Sequence, residues 1–228
     1  MIARTLVGYM TDTSALISLI ITIPAVLIAI TFHEFAHAFV ADKLGDDTPR
    51  SQGRLTLNPI AHLDPVGSFL LLFAGFGWGK PVQVNPRNYT RKMSMEVGDA
   101  LVSIAGPIMN FLLAIIFTLI YCGIYKFNSA FLLTQAGNIT QIFLVTTISI
   151  NIGLGVFNLL PLPPLDGSKV IMPLLPSNIK RFFIEKEQIF YIIFVVIWIF
   201  GIASYIISPA IKIISNGILN LGLLIFGL

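Results

Sequence analysis

Long apolar runs dominate the chain, with little of the alternation or half-polar periodicity of a soluble domain. Runs near 14–41, 97–125, 136–160 and 187–208 each meet the roughly 20-residue requirement for a helix that crosses a bilayer. Two stretches are ambiguous. From Pro65 to Trp78 the chain reads PVGSFLLLFAGFGW, only about 14 residues and rich in glycine, which suits a re-entrant or interfacial segment better than a span. The tail after Pro209, PAIKIISNGILNLGLLIFGL, reads equally as a last short span or an interfacial helix. The pattern predicts an all-α polytopic membrane protein with about five to six transmembrane helices, organised as one membrane domain over 1–228 with no internal repeat and no appended soluble domain.

Composition sharpens this picture. The 228 residues are 56% hydrophobic and 11% charged, with a mean hydropathy of +0.88, far from the balance of a soluble domain. A net charge of +3 is not gathered into a basic cluster that would follow a phosphate backbone, so nucleic acid is not an expected partner; the lipid bilayer is. A single cysteine, Cys122, excludes an internal disulfide and a cysteine-based metal site. Residues 1–14 lack the charged start and cleavage site of a signal peptide, so the first apolar run is expected to be a permanent span.

Charge also bears on sidedness. If 65–78 returns to the side it entered, the loops 42–64, 79–96 and 161–186 share one face. That face then carries Lys43, Arg50, Arg54, Lys80, Arg87, Arg91, Lys92, Lys169, Lys180, Arg181 and Lys186, the asymmetry expected of a cytoplasmic side. A spanning 65–78 would divide these residues more evenly.

Within the first apolar run lies ITFHEFAHAFVAD, Ile30 to Asp42. Ionisable groups at membrane depth are costly and mark functional sites. His33, Glu34 and His37 spell H-E-x-x-H, which on a helix puts both imidazoles on one face with the glutamate beside them. This is the arrangement in which zinc makes a bound water acidic and the glutamate takes its proton. At 1.5 Å per residue, His37 and His33 lie roughly 7 to 14 Å beneath Asp42.

A catalytic zinc takes three protein ligands and one open position. His62, in RLTLNPIAHLDPVGS, is one candidate, though a loop histidine in a hydrogen bond is the plainer reading. Asp166, in FNLLPLPPLDGSK, is the better one. Pro161, Pro163 and Pro164 end the preceding helix and leave extended backbone, tolerated at membrane depth where it lines a cavity. Asp166 reaches the histidines only if 65–78 is re-entrant, so chemistry and charge favour the same topology. Asn110, after Gly106 and Pro107, and Asn158, just before the proline break, are amides in apolar runs. Each fits a helix-packing hydrogen bond, or near zinc a contact to a substrate backbone or developing oxyanion.

Taken together, HEFAH at 33–37, GPIMN at 106–110 and NLLPLPPLDG at 158–167 resemble the site-2 proteases, intramembrane zinc metalloproteases that cut transmembrane segments of membrane protein substrates. RLTLNPIAHLDPVGS and GWGKPVQVNPRN resemble the compact prokaryotic branch, and 228 residues leave no room for the PDZ or CBS domains of other branches. The resemblance implies one zinc held by His33, His37 and Asp166, Glu34 as general base, and Asn110 and Asn158 positioning substrate. It also implies a three-helix catalytic core (14–41, 97–125, 136–160) with an extended, partly β-like segment at about 48–90 between the first two helices, and further helices within 187–228. A transporter would also use intramembrane His, Glu and Asp, but the chain lacks a paired, symmetry-related broken segment. A non-catalytic binder of transmembrane clients would not need the glutamate.

Overall fold

The computed structural model describes residues 13–67, 79–90 and 92–228. Helix α1 (Thr13–Lys43) is followed by a single turn, α2 (Thr48–Ser51), and by 3-10 turns at Pro59–His62 and Pro86–Asn88. Then come α3 (Met95–Phe127), the short α4 (Ser129–Leu132), α5 (Gln135–Asn158), α6 (Asp166–Ile171), α7 (Ser177–Glu185), α8 (Glu187–Ile199) and α9 (Ile202–Phe226). Among the described residues four helices are long and apolar enough to cross a membrane: Leu19–Lys43, Met95–Phe127, Gln135–Asn158 and Ala203–Phe226. A shorter apolar helix covers Glu187–Ile197. The chain is an all-α, multi-pass membrane protein.

Helices α1, α3 and α5 pack on one another, and α9 lies against α3 and α5. Residues four apart share a helix face, and on α3 two such rows have opposite characters. Val102, Gly106, Asn110, Ala114, Thr118 and Cys122 are all buried. Ile108, Leu112, Ile116 and Ile120 are exposed, Ile108 at 54%. Below Val102, small and polar residues thus face the bundle while branched apolar residues face outward, the arrangement expected when lipid is the solvent and close helix approach replaces hydrophobic burial. Helix α1 has the matching row Ile21, Ala25, Ala29, His33, His37 and Ala41, every member buried. Three alanines let α3 come close enough to reach the histidines between them.

The sequence places the helices well but not every end. Ser94 accepts from the Val97 N–H at 3.3 Å and Thr134 from the Gly137 N–H at 3.0 Å, so α3 and α5 begin one or two residues before their apolar runs. The run expected near 187–208 is not one helix: it stops at Ile199 and restarts at Ile202. Gly201 takes a left-handed backbone conformation, φ +68°, which glycine adopts without steric cost. Pro209, expected to mark the start of a separate tail, lies inside α9.

Between α1 and α3 the expected β-like character is confined to one isolated antiparallel bridge, Leu63 with Gly79, and among the described residues no strand forms. The expectation that 65–78 turns back falls largely on residues 68–78, which lie outside the described residues. Its flanks are informative, because the Lys80 N–H donates to the His62 carbonyl at 2.8 Å. The chain therefore leaves and re-enters this stretch at one place. The buried Arg54 fastens the same junction by donating to the Ala61 and Lys80 carbonyls.

Asp46 locks the other end of this connection. It has no exposed surface. Its Oδ1 accepts from the Thr48 hydroxyl at 2.6 Å, the Thr48 N–H at 3.1 Å and the Asn88 amide at 2.9 Å, while Oδ2 accepts from the Asn85 N–H at 2.7 Å. Burial alone would raise its pKa, but the hydrogen bonds from Thr48, Asn85 and Asn88 outweigh that and hold it below the usual carboxylate value. A folded pKa below the unfolded one means that the ionised form stabilises above the ordinary aspartate range and loses its effect as pH falls through the folded value. Replacing Asp46 by alanine is expected to destabilise the connection by about 1–3 kcal/mol at neutral pH. Limited proteolysis between residues 44 and 90 should report it, with the difference from the parent shrinking in acid.

Candidate metal centre

Two routes bring the candidate residues together. Helix α1 supplies His33, Glu34 and His37 from adjoining turns. Asp166 arrives from α5 through the proline-interrupted stretch after Asn158 and opens α6. Gly167 makes that arrival possible, since a Cβ there would lie 2.3 Å from the Leu159 carbonyl oxygen. Any side chain would push α6, and Asp166 with it, away from the end of α5.

The three polar atoms form a nearly equilateral triangle. His33 Nε2 and His37 Nε2 are 3.1 Å apart, and Asp166 Oδ2 lies 3.2 Å from the first and 3.3 Å from the second. Four ligands placed tetrahedrally at zinc-like distances of about 2.0–2.1 Å are separated by about 3.3–3.4 Å from one another. The triangle is therefore one face of such a tetrahedron, to within a few tenths of an ångström.

Protonation points the same way. His37 Nδ1 is 2.7 Å from the Val102 carbonyl oxygen, which only accepts, so Nδ1 carries the proton. His33 Nδ1 is 2.7 Å from Asn110 Oδ1, again an acceptor. With Nδ1 carrying the proton, each imidazole in its neutral form would turn the lone pair of Nε2 toward the triangle. Asp166 Oδ2 is buried and makes no well-aligned hydrogen bond. Three lone pairs converging on one point repel one another unless a cation lies between them, and this donor set suits a divalent metal. The side chains of His33 and His37 are 7% and 10% exposed, but that of Asp166 keeps 20%, so the site opens on the carboxylate side.

Glu34 is half-buried beside the pair, and its Oε2 accepts from the Val82 N–H at 2.9 Å. Gly106 faces the site from α3: a Cβ there would fall 2.5 Å from His37 Nε2 and 2.6 Å from His33 Cε1. In the fold it is the gap that admits both rings. Of the remaining expectations, His62 is fully buried with Nε2 2.8 Å from the Thr56 carbonyl, and it stands outside the group of converging atoms. Asn110 has no exposed surface, and its Nδ2 donates to the Ala29 carbonyl at 3.1 Å and to Asn151 Oδ1 at 2.9 Å. Asn158 is half-buried and donates to the Leu154 carbonyl at 3.1 Å. Three groups escaped the reading of the sequence. The Val102 carbonyl and the Val82 N–H leave no side-chain signal, whereas Asn151 is an amide in an apolar run just as Asn110 and Asn158 are.

A bundle of membrane-spanning helices that gathers H-E-x-x-H and a distant aspartate around one point defines a membrane-embedded metallopeptidase. The family comparison agrees: the model of Peptidase family M50 matches residues 21–201. The chain belongs to this family, the site-2 proteases, and is a metalloprotease that uses zinc. It is 40% identical over 200 residues to the protein named "Putative zinc metalloprotease YwhC" of Bacillus subtilis, covering 88% of this chain and 90% of that one. It is 30% identical over 193 residues to "Putative zinc metalloprotease Rip2" of Mycobacterium tuberculosis, covering 79% and 70% of the two chains. To the protein of the same name from Mycolicibacterium smegmatis it is 28% identical over 215 residues, covering 83% and 77%. No solved structure matches the chain.

The packing of Gly106 gives a direct test. Gly106→Ala is expected to leave a folded bundle but weaken zinc binding by at least ~10-fold, the range seen when metal ligands lose their support. Metal analysis of the purified protein against a competing chelator measures it.

Proposed function

We propose that this protein hydrolyses peptide bonds within or near transmembrane segments of other membrane proteins, holding one zinc ion per chain through His33, His37 and Asp166. The observation that carries the reading is the triangle of two imidazole nitrogens and one carboxylate oxygen, its histidines about two to three turns below the loop end of a spanning helix and its carboxylate side open. Bound zinc supplies an acidic water and a Lewis acid for the scissile carbonyl. Glu34 is the general base. With Oε2 held by the Val82 N–H, Oε1 is the atom left to take the proton from the attacking water and return it to the leaving amine. One carboxylate then serves both halves of the reaction, and no covalent enzyme intermediate is needed.

Asn158, half-buried at the end of α5, is the amide we assign to the substrate. Asn110 acts on the site through His33. A helical substrate hides its peptide bonds and must unwind locally before Glu34 can act; the non-helical backbone at 80–85, whose Val82 N–H meets Glu34, offers an edge along which the unwound chain can pair. The basic residues around the loop ends support a site near the cytoplasmic face of the cell membrane.

Cleavage of a model transmembrane substrate in proteoliposomes tests the reading. Glu34→Gln is expected to slow cleavage by roughly 10²- to 10⁴-fold, the usual worth of a general base, with zinc content unchanged. A variant that retains zinc and cuts as fast as the parent would overturn the role given to Glu34.

A further inference from the structure

Asn151 touches none of the three converging atoms, yet a directional chain of hydrogen bonds runs from it to one of them. We infer that Asn151 is a positioning residue for His33, acting through Asn110 to fix the tautomer and plane of that imidazole. The inference rests on the reading of His33, His37 and Asp166 as metal ligands.

The direction of the chain is set by groups that can only accept. Asn151 Nδ2 lies 2.8 Å from the Thr147 carbonyl. The amide nitrogen must therefore face that carbonyl, which leaves Asn151 Oδ1 toward α3. Asn110 answers with Nδ2, at 2.9 Å, and the Ala29 carbonyl at 3.1 Å demands the same orientation. Asn110 Oδ1 is thereby turned to His33, 2.7 Å from Nδ1. The proton goes to Nδ1, and Nε2 is left as a lone pair. Reversing any one amide would set donor against donor or acceptor against acceptor along the whole row.

Burial makes the row strict. Asn110, Asn151 and Thr147 have no exposed surface, so water cannot replace a missing partner, and an unpaired amide at this depth costs several kcal/mol. The two histidines differ in how they are held. His37, nearer the loop end, is fixed directly by the Val102 carbonyl. His33 lies one turn deeper and is fixed by a side chain, which has rotational freedom of its own and needs a second support. Helix α5 therefore contributes twice, through Asn151 to His33 and through its C-terminal continuation to Asp166.

A buried asparagine between membrane helices also serves simple packing, so the test must read the metal. Full-length protein in detergent is stripped with a chelator and titrated with zinc against a competing ligand, and the cobalt(II) form is measured by its visible ligand-field absorption. Asn151→Leu is expected to raise the zinc Kd about tenfold, the lower end of the range for outer-shell partners, and to shift the cobalt spectrum. Asn151→Ser, whose hydroxyl can donate to Thr147 and accept from Asn110, should recover the parent spectrum in part. Thr118→Val removes another buried hydroxyl of the bundle, bonded at 2.8 Å within its own helix to the Ala114 carbonyl, and should change neither readout. A folded Asn151→Leu protein with parental Kd and spectrum overturns the inference, as does an equal effect from Thr118→Val. Should Asn151→Leu not fold, Asn151→Ala is read by the same criteria. A parent protein that binds zinc no better than His33→Ala sinks the ligand reading itself, an outcome distinct from failure of the relay.

Discussion

Every polar group inside a lipid-facing bundle has to find its partner within the bundle. In water a histidine that loses one hydrogen bond takes another from solvent, while the Nδ1 side of His33 is buried against Asn110 and has none to take. The consequences run through the whole core. Alanines on α1 and a glycine on α3 bring the backbones close enough for side chains to meet. The Val102 carbonyl and the Asn110 amide then settle which nitrogen of each imidazole is free. Two nitrogens and an oxygen are left converging on one point. The site is less an addition to the bundle than a place where its internal pairing is left incomplete, at Asp166 Oδ2.

The two sides of the bundle show the balance between packing and chemistry. On the outer rows the requirement is only to be apolar, and Ile108, Leu112, Ile116 and Ile120 meet it. On the inner rows size, hydrogen bonding and direction all matter, so Gly106, Asn110 and Ala114 differ from one turn to the next for separate reasons. The connection between α1 and α3 follows different rules because it lies at the end of the bundle. There a carboxylate, Asp46, and a guanidinium, Arg54, tie loop backbone together, as a soluble protein would do.

Much of this was legible in the sequence. Spans of apolar residues at membrane length are the strongest signal a chain can carry, and H-E-x-x-H inside one of them has few readings. Asp166 was within reach because the prolines before it forbid a helix, and a broken helix at depth needs a reason. Other features were not legible, for identifiable causes. The role of Gly106 was hidden, since nothing local reveals that two rings from another helix will occupy the space of its missing side chain. The division of 187–226 at Gly201 rather than Pro209 turned on a left-handed backbone angle, for which proline is the louder but wrong cue. The supports of Glu34 and His37 are backbone groups, and a sequence does not show where a backbone N–H or carbonyl will point. Asn151 could have been noticed by the rule that singled out Asn110 and Asn158.

The paired rows of α3 carry one more implication, about length rather than identity. Adding or removing a single residue between the loop end of that helix and Asn110 would turn everything beyond it by about 100°. Asn110 would swing away from His33, and Met109 or Phe111 would swing into the place it holds beside the ring. Substitutions along the outer row should be tolerated freely, but the count of residues from Val102 to Cys122 behaves like the tooth spacing of a gear. It meshes with α1 at one pitch, and a chain that changes it has to change both helices together.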